Sequence, residues 1–566
     1  MFIKLTRARG KTYAQLTESF RDPSGKTRQR TLATLGRIDE HGGQVDAVLS
    51  ALLRAKGRGD EDFSAPRIAF ESALALGDVW ALDQLWHELG FDRLGQVFRR
   101  ARFISPVELA VRAMVFNRLC DADSKLGVLR WLQTVAMPGI DAGALTHQHL
   151  LRSMDALMDH QEAVDDCVAG LLRPLIDTEL SVVFYDLTTI RAAGDSTLQG
   201  DVRQFGLSKE GGIARQFLLG VVQTAEGLPI YHEVFEGNAS EGKTLAPTLS
   251  KVLARYPQIQ RLVVVADRSL LSLDNIEQLS QWRLPSGKLL EFILAVPGRR
   301  YGDFVDLLQP LHDQAQASAQ ETVQETQWQG HRLVVAHHPE RAREQTAKRR
   351  QTIAELELRA QKLAGKLDAQ DAGKKSRGRK MSDSGAKARF YREVCDARLA
   401  SIIRVDLKSD LFTYTIHEPA LQRAQMIDGK LLLVTNVPDT DLKPEEVLAR
   451  YKSLADIERG FRVLKSDIEM APVYHRLPQR IRAHASICFM ALIVHRVMRM
   501  RLKAAQHADS PQTALQLLRR VQRHSIRIND APPMTGVSSI NDEQRAIMAA
   551  LGLKKLPQEG GQMQLV

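Results

Sequence analysis

Cysteine is scarce in this chain of 566 residues. Cys120, Cys167, Cys395 and Cys488 stand far apart, with no C-x-x-C pair. That spacing builds neither a disulfide framework nor a zinc knuckle, and it fits a reducing compartment. Long apolar runs are missing too: the longest, Ala485 to Val494, is too short to span a bilayer. Met1 is followed by basic, alternating residues rather than by an apolar core and a small-residue cleavage site. A cytoplasmic protein with no membrane partner is expected. The 16 histidines, His147-Gln148-His149 and His337-His338 among them, include no H-E-x-x-H helix. There is no G-x-S-x-G elbow and no internal repeat, so zinc-protease, serine-hydrolase and solenoid readings fall away. Acidic residues are also in deficit, 67 Asp+Glu against 78 Lys+Arg, for a formal charge of +11. Such an excess favours a polyanionic partner, with nucleic acid first.

What is present divides into segments. Residues 1–64 open as a meander: Phe2 to Leu5, Thr12 to Leu16 and Arg28 to Leu32 alternate, with Asp22-Pro23-Ser24-Gly25 as turn chemistry. Side chains alternate across a strand, so Lys26, Arg28 and Arg30 fall on one face as a basic stripe. Residues 65–175 turn helical, with apolar spacing through Val79 to Trp86 and a helix start at Ser105-Pro106-Val107-Glu108. Trp80, Trp86 and Trp131 are expected in the core. Residues 176–298 carry strands, 299–440 form an insertion with a Lys/Arg-rich stretch from Arg341 to Glu393 whose first half has a helical period and whose second reads as flexible, 441–500 hold an acidic helix, and 501–566 read as a helical tail.

The chemistry lies between Ser181 and Val296, where the pattern predicts β-β-β-α-β-α-β, the order of an RNase H-like domain. Asp186 and Asp267 each end an apolar run, on the first and fourth strands. Those strands are neighbours in such a sheet, so the two carboxylates would emerge side by side, and they repel unless a cation joins them. Hard oxygen ligands suit Mg²⁺, and a pair of such ions serves in-line displacement at phosphorus. A third carboxylate is then required. The segment Tyr451 to Lys465 places Tyr451, Glu458, Arg462 and Lys465 on one face at a helical period, with Arg459 beside them.

At these residues the chain resembles the DDE transposases of bacterial insertion sequences, specifically the insertion-sequence-4 superfamily and its insertion-sequence-1634 type. Tyr451, Glu458 and Lys465 stand at that superfamily's spacings, while Leu454 occupies its Arg position. Tyr185-Asp186-Leu187-Thr188-Thr189 and Asp267-Arg268-Ser269-Leu270-Leu271-Ser272 resemble its first two acidic motifs; the opening meander, Gly237-Asn238 and Asp428-Gly429 extend the likeness. The resemblance implies an α/β chain with an RNase H-like catalytic domain, interrupted by a β-rich insertion with strands at Arg332 to Ala336, Leu411 to Ile416 and Leu431 to Thr435. It implies Asp186, Asp267 and Glu458 as catalytic metal ligands for two Mg²⁺ ions, with Mn²⁺ a possible substitute. Tyr451, Arg459, Arg462 and Lys465 would contact DNA. It further implies double-stranded terminal repeats and target DNA as partners, a hairpin route for second-strand cleavage, and a homodimer in the synaptic complex at the bacterial nucleoid. A Trp that receives a flipped base is implied as well, with Trp282 and Trp328 as alternatives.

One rival motif competes. Gly237 to Thr244 matches the P-loop pattern G-x-x-x-x-G-K-T, which would set Lys243 on a nucleotide triphosphate. Tyr231, His232 and Glu233 in the preceding strand suit a hairpin better than a central parallel strand covered on both faces. A non-catalytic DNA-binding relative is the third alternative.

Overall fold

A computed structural model describes residues 2–38, 68–103, 106–141, 143–176, 181–194, 198–209, 211–267, 273–316, 318–373, 380–529 and 531–556. Two compact units are present, one from Met1–Leu74, Gln522–Ser538 and Pro557–Val566, the other from Ala75–Val521 and Ser539–Leu556.

In the first unit, β1 (Phe2–Ala8), β2 (Lys11–Arg21) and β3 (Thr27–Ile38) form the expected antiparallel meander. Asp22 organises the β2–β3 turn by accepting from the backbone N–H groups of Ser24 and Lys26 at 3.0 and 3.1 Å. Of the basic stripe, Arg28 pairs with Asp22 at 2.7 Å and Arg30 with Glu18 at 2.9 Å, so internal acids temper its charge. A second sheet joins β4 (Ile68–Ala75), β16 (Gln522–Ile528) and β17 (Met534–Val537) in the order β17-β16-β4. The helical readings of 65–175 and 501–566 therefore each miss strands. Their alternation is short, and β4 lies more than 400 residues from its partner β16, although β16 and β17 form a local hairpin.

The second unit is built on a sheet of β5 (Ser181–Arg191), β6 (Gln204–Leu207), β7 (Ile213–Thr224), β8 (Pro229–Glu236), β9 (Leu262–Ala266), β10 (Glu291–Ala295), β11 (Thr322–Trp328), β12 (His331–His337) and β15 (Lys430–Thr435). Its order is β11-β12-β15-β10-β9-β5-β7-β6, with β8 paired to β7. Among the described strand pairs of this sheet, β5–β9 and β9–β10 are parallel and the others antiparallel. β9 is buried along its whole length, as the unbroken apolar sequence Leu262 to Ala266 requires of a strand covered on both faces. The preceding helical segment, from Gly77 to Leu172, buries Trp86 and Trp131, with Trp80 half-buried. Ser105, the expected cap of the helix Val107–Cys120, lies outside the described residues.

The insertion departs from expectation. Two of its three anticipated strands, β12 and β15, extend the main sheet instead of forming a separate β domain. What lies between them is mostly helical: Pro339–Asp371, Asp383–Asp396 and Glu418–Ile427, with only a short pair β13 (Ile403–Val405) and β14 (Tyr414–Ile416). Leu356, Ala360 and Leu363 pack with Phe390, Val394 and Ile403 in a small core of their own. The helical period in the first half of the Arg341 to Glu393 stretch corresponds to the helix Pro339–Asp371, where Lys and Arg crowd the exposed faces around a narrow apolar stripe; the helix Asp383–Asp396 in the second half is unexpected. The basic run 374–379 lies outside the described residues.

The helix Pro478–Ala504 is long and apolar enough to cross a bilayer, although 89% of its most apolar window is buried inside the protein. Burial identifies it as a core helix.

Candidate active site

The register of β5 against β9 pairs Phe184 with Val265 and Tyr185 with Ala266. Asp186 is the next residue of β5 and Asp267 the first residue past β9, close enough for the charge of Asp267 to act on Asp186. Asp186 is 8% exposed and accepts from the Leu187 N–H at 2.7 Å. Burial raises its pKa to about 6, opposed first by Lys209 and reinforced by Asp267. Asp267 is half-buried, and its Oδ1 accepts from the Tyr451 hydroxyl at 3.1 Å.

The expected helix through Tyr451 and Lys465 is in fact two, Pro444–Lys452 and Ala455–Ser466, broken at Ser453 and Leu454. Leu454, at the superfamily's Arg position, is buried at the break. Tyr451 thus lies on a different helix from Glu458, Arg462 and Lys465, not on the single continuous helix expected, and its hydroxyl meets Asp267. The second helix packs on β5 and on the helix Pro478–Ala504, and at Gly460 an added Cβ would lie 3.1 Å from the Arg496 guanidinium and 3.4 Å from the side-chain amide nitrogen of Gln223 on β7. Phe461 and Leu464 are buried, whereas Glu458, Arg459 and Arg462 are exposed and Lys465 is half-buried. Asp186, Asp267 and Tyr451 are thus brought together, and Glu458 is not joined to them. Among the described residues no group of three metal-ligating side chains is assembled.

Sequence reasoning missed Lys209. It follows β6, and its ammonium lies 3.4 Å from Asp186 Oδ1 while also donating to the Leu187 carbonyl oxygen. The signal was available in Gly206-Leu207-Ser208-Lys209, a cation in the hairpin facing the first aspartate's strand, but nothing local assigns that hairpin its partner. Trp328 tilts against Phe304 at 5.1 Å and is partly buried, as is Trp282. Neither is singled out for a base.

The P-loop alternative fails on topology. β8, which leads into Gly237, is antiparallel to β7. Thr244 donates its hydroxyl to the Glu241 carbonyl at 2.6 Å and accepts from Tyr185 at 2.8 Å, so it is committed within the fold. Gly237 is needed for close packing: a Cβ there would sit 2.0 Å from the Gln216 carbonyl oxygen. Gly237→Ala is expected to cost roughly 3 kcal/mol by overpacking against backbone, read from the denaturant midpoint.

Residues 3–65 match the IS1634 family transposase, N-terminal domain, and residues 177–494 match the transposase DDE domain. A comparison with curated proteins gives no match. Among solved structures the chain is similar to a piggyBac transposase synaptic complex with hairpin DNA, at 7% identity over 78% of each chain and a TM-score of 0.37. The domain match covers more than half of the sequence and contains both aspartates, the two-helix acidic segment and the insertion. The chain therefore belongs to the DDE transposases, of the IS1634 type.

Proposed function

We propose that this DNA transposase cuts and joins DNA at a site formed by Asp186, Asp267 and Glu458, which hold two Mg²⁺ ions within an RNase H-like domain. The observation that carries the reading is the placement of two carboxylates on adjacent parallel strands, with a cation already against one of them. The donor set fits a hard divalent ion: Asp186 and Asp267 offer oxygens only, and their mutual repulsion is relieved by positive charge. Bound ions would supply activation of the attacking oxygen and stabilisation of the leaving one in an in-line displacement.

The chain's own residues divide the remaining work. Asp186, desolvated and fixed by the Leu187 N–H, presents a carboxylate that needs little reorganisation. Tyr451 orients Asp267 through its hydroxyl. Glu458 enters from the helix packed on β5, and the exposed Arg459 and Arg462, with Lys465, meet phosphates and set register without reading bases. Water attacks first at the transposon end, and the freed 3′-hydroxyl then attacks target DNA at the same groups. The partners are double-stranded terminal repeats and target DNA, engaged by a homodimer.

The test is cleavage of end DNA by purified protein in Mg²⁺ or Mn²⁺, with each of the three acids neutralised in turn. Persistence of metal-dependent cleavage in all three would overturn the assignment. A pH effect follows as well. Metal requires the deprotonated carboxylate, so Mn²⁺ affinity should fall progressively as pH drops below about 6, where Asp186 takes up its proton. Paramagnetic resonance of free Mn²⁺ reads this directly.

A further inference from the structure

A cavity of about 580 Å³ lies beside the strap Glu469 to Leu477, away from the carboxylate pair. Two of the cations lining it, Arg118 and Lys125, are buried at 6% and 7% exposure. Among the described residues neither has a carboxylate partner. Arg118 donates to the carbonyl oxygens of Ile468 at 3.4 Å and Glu469 at 3.2 Å and to that of Asp123, and its Nε has no partner. The Lys125 ammonium makes no hydrogen bond among the described residues. Burial, and then Arg118, pull its pKa down to about 8. Two like charges out of water and next to each other are costly unless an anion joins them.

The surrounding backbone has the same sign. First-turn or capping residues of three helices line the cavity: Ser124 and Lys125 of Lys125–Leu132, His147 of His147–Asp159, and Leu477 and Arg480 of Pro478–Ala504. Helix starts carry unsatisfied N–H groups and partial positive charge, the usual setting for phosphate. Arg480 is neutralised by Asp155 at 2.7 Å and Arg476 is exposed, which leaves Lys125 and Arg118 as the buried charges without a carboxylate partner among the described residues. Opposing them are Glu469, exposed, and Asp123, whose carboxylate pairs with Arg130 at 3.3 Å.

We propose that this cavity is a phosphoryl-binding site with Lys125 as its principal cation, occupied by a backbone phosphate of the DNA on its way to the active site. The strap forming its wall is bonded to the end of β5: Val473 donates to the Arg191 carbonyl at 3.0 Å and accepts from the Ala193 N–H at 2.8 Å. A phosphate held there is therefore tied to the strand that carries Asp186. The identification of DNA as the source rests on the catalytic reading; the phosphoryl chemistry does not.

The experiment compares the full-length protein with Lys125→Met and Lys125→Gln. Three probes are titrated: inorganic phosphate, AMP and a labelled single-stranded oligonucleotide. Each variant should melt at a higher temperature than the parent without added anion, because a buried uncompensated charge is gone. Phosphate should raise the parent's midpoint and leave the variants' unmoved. Oligonucleotide affinity should fall about tenfold, and its salt slope should drop by about one. Loss of phosphate and AMP binding with oligonucleotide affinity intact would keep the site and assign it to a free nucleotide. Lower melting temperatures with all three affinities unchanged would overturn the proposal. The two readings fail separately: phosphate and AMP stabilisation lost in the Lys125 variants is read by melting alone and does not depend on whether Asp186, Asp267 and Glu458 cleave DNA.

Discussion

Glu458→Gln is expected to fold as stably as the parent and to lose end cleavage by about a thousandfold or more, roughly 4 kcal/mol of transition-state stabilisation. The side chain is exposed on Ala455–Ser466, and the substitution keeps its shape, so unfolding should change by less than about 0.5 kcal/mol. Only charge is removed. If the carboxylate merely decorates a solvated helix face, the loss is negligible. If it is the third ligand, the amide cannot hold a divalent ion against two flanking aspartates. Cleavage assays beside denaturant unfolding separate the outcomes, and activity within tenfold of the parent would dismiss Glu458.

Asp186→Asn should behave differently, losing cleavage to a similar extent while stabilising the metal-free protein. The Asp186 carboxyl titrates near 6 in the fold against 3.8 for the ordinary group, chiefly because it is buried. A folded pKa above the unfolded one gives stability that is full below the unfolded value and lost as pH rises through the folded one. At pH 7 the ionised side chain therefore weakens the fold, by up to roughly 3 kcal/mol. The Asn oxygen still accepts from the Leu187 N–H but carries no charge. In chelator the variant should melt above the parent; added Mg²⁺ should close the gap by raising the parent alone. A lower midpoint in chelator would mean that the carboxylate is held for structure, through Lys209, rather than for metal.

The sequence revealed the two aspartates because each ends an apolar run whose length and β-branched content leave little choice of element. The pairing of β5 with β9 followed from the order of elements. The acidic helix was harder. Residue spacing from Tyr451 to Lys465 reads as one continuous period, and only packing shows the break that buries Leu454 and sends Tyr451 to Asp267. Lys209 and the cavity around Lys125 stayed hidden for a related reason: each depends on contacts between segments far apart in the chain, and a lysine in a hairpin or at a helix start looks the same whether solvated or enclosed. Three of the insertion's strands were legible, β11 and β13 were not, and the sheet that β12 and β15 join was not, since apolar strands do not announce which edge they join.

The helical arm leaves the sheet at His337 and re-enters at Lys430, residues that face each other across β12 and β15. Asp428 and Gly429 fasten its base, through Arg349 and Thr346 and through the amide of Gln345. An excursion of some ninety residues thus begins and ends at a single point on the scaffold. A change of length within such a graft need not disturb the pairing of β12 with β15, so the sheet that positions Asp186 and Asp267 is insulated from what happens along the arm.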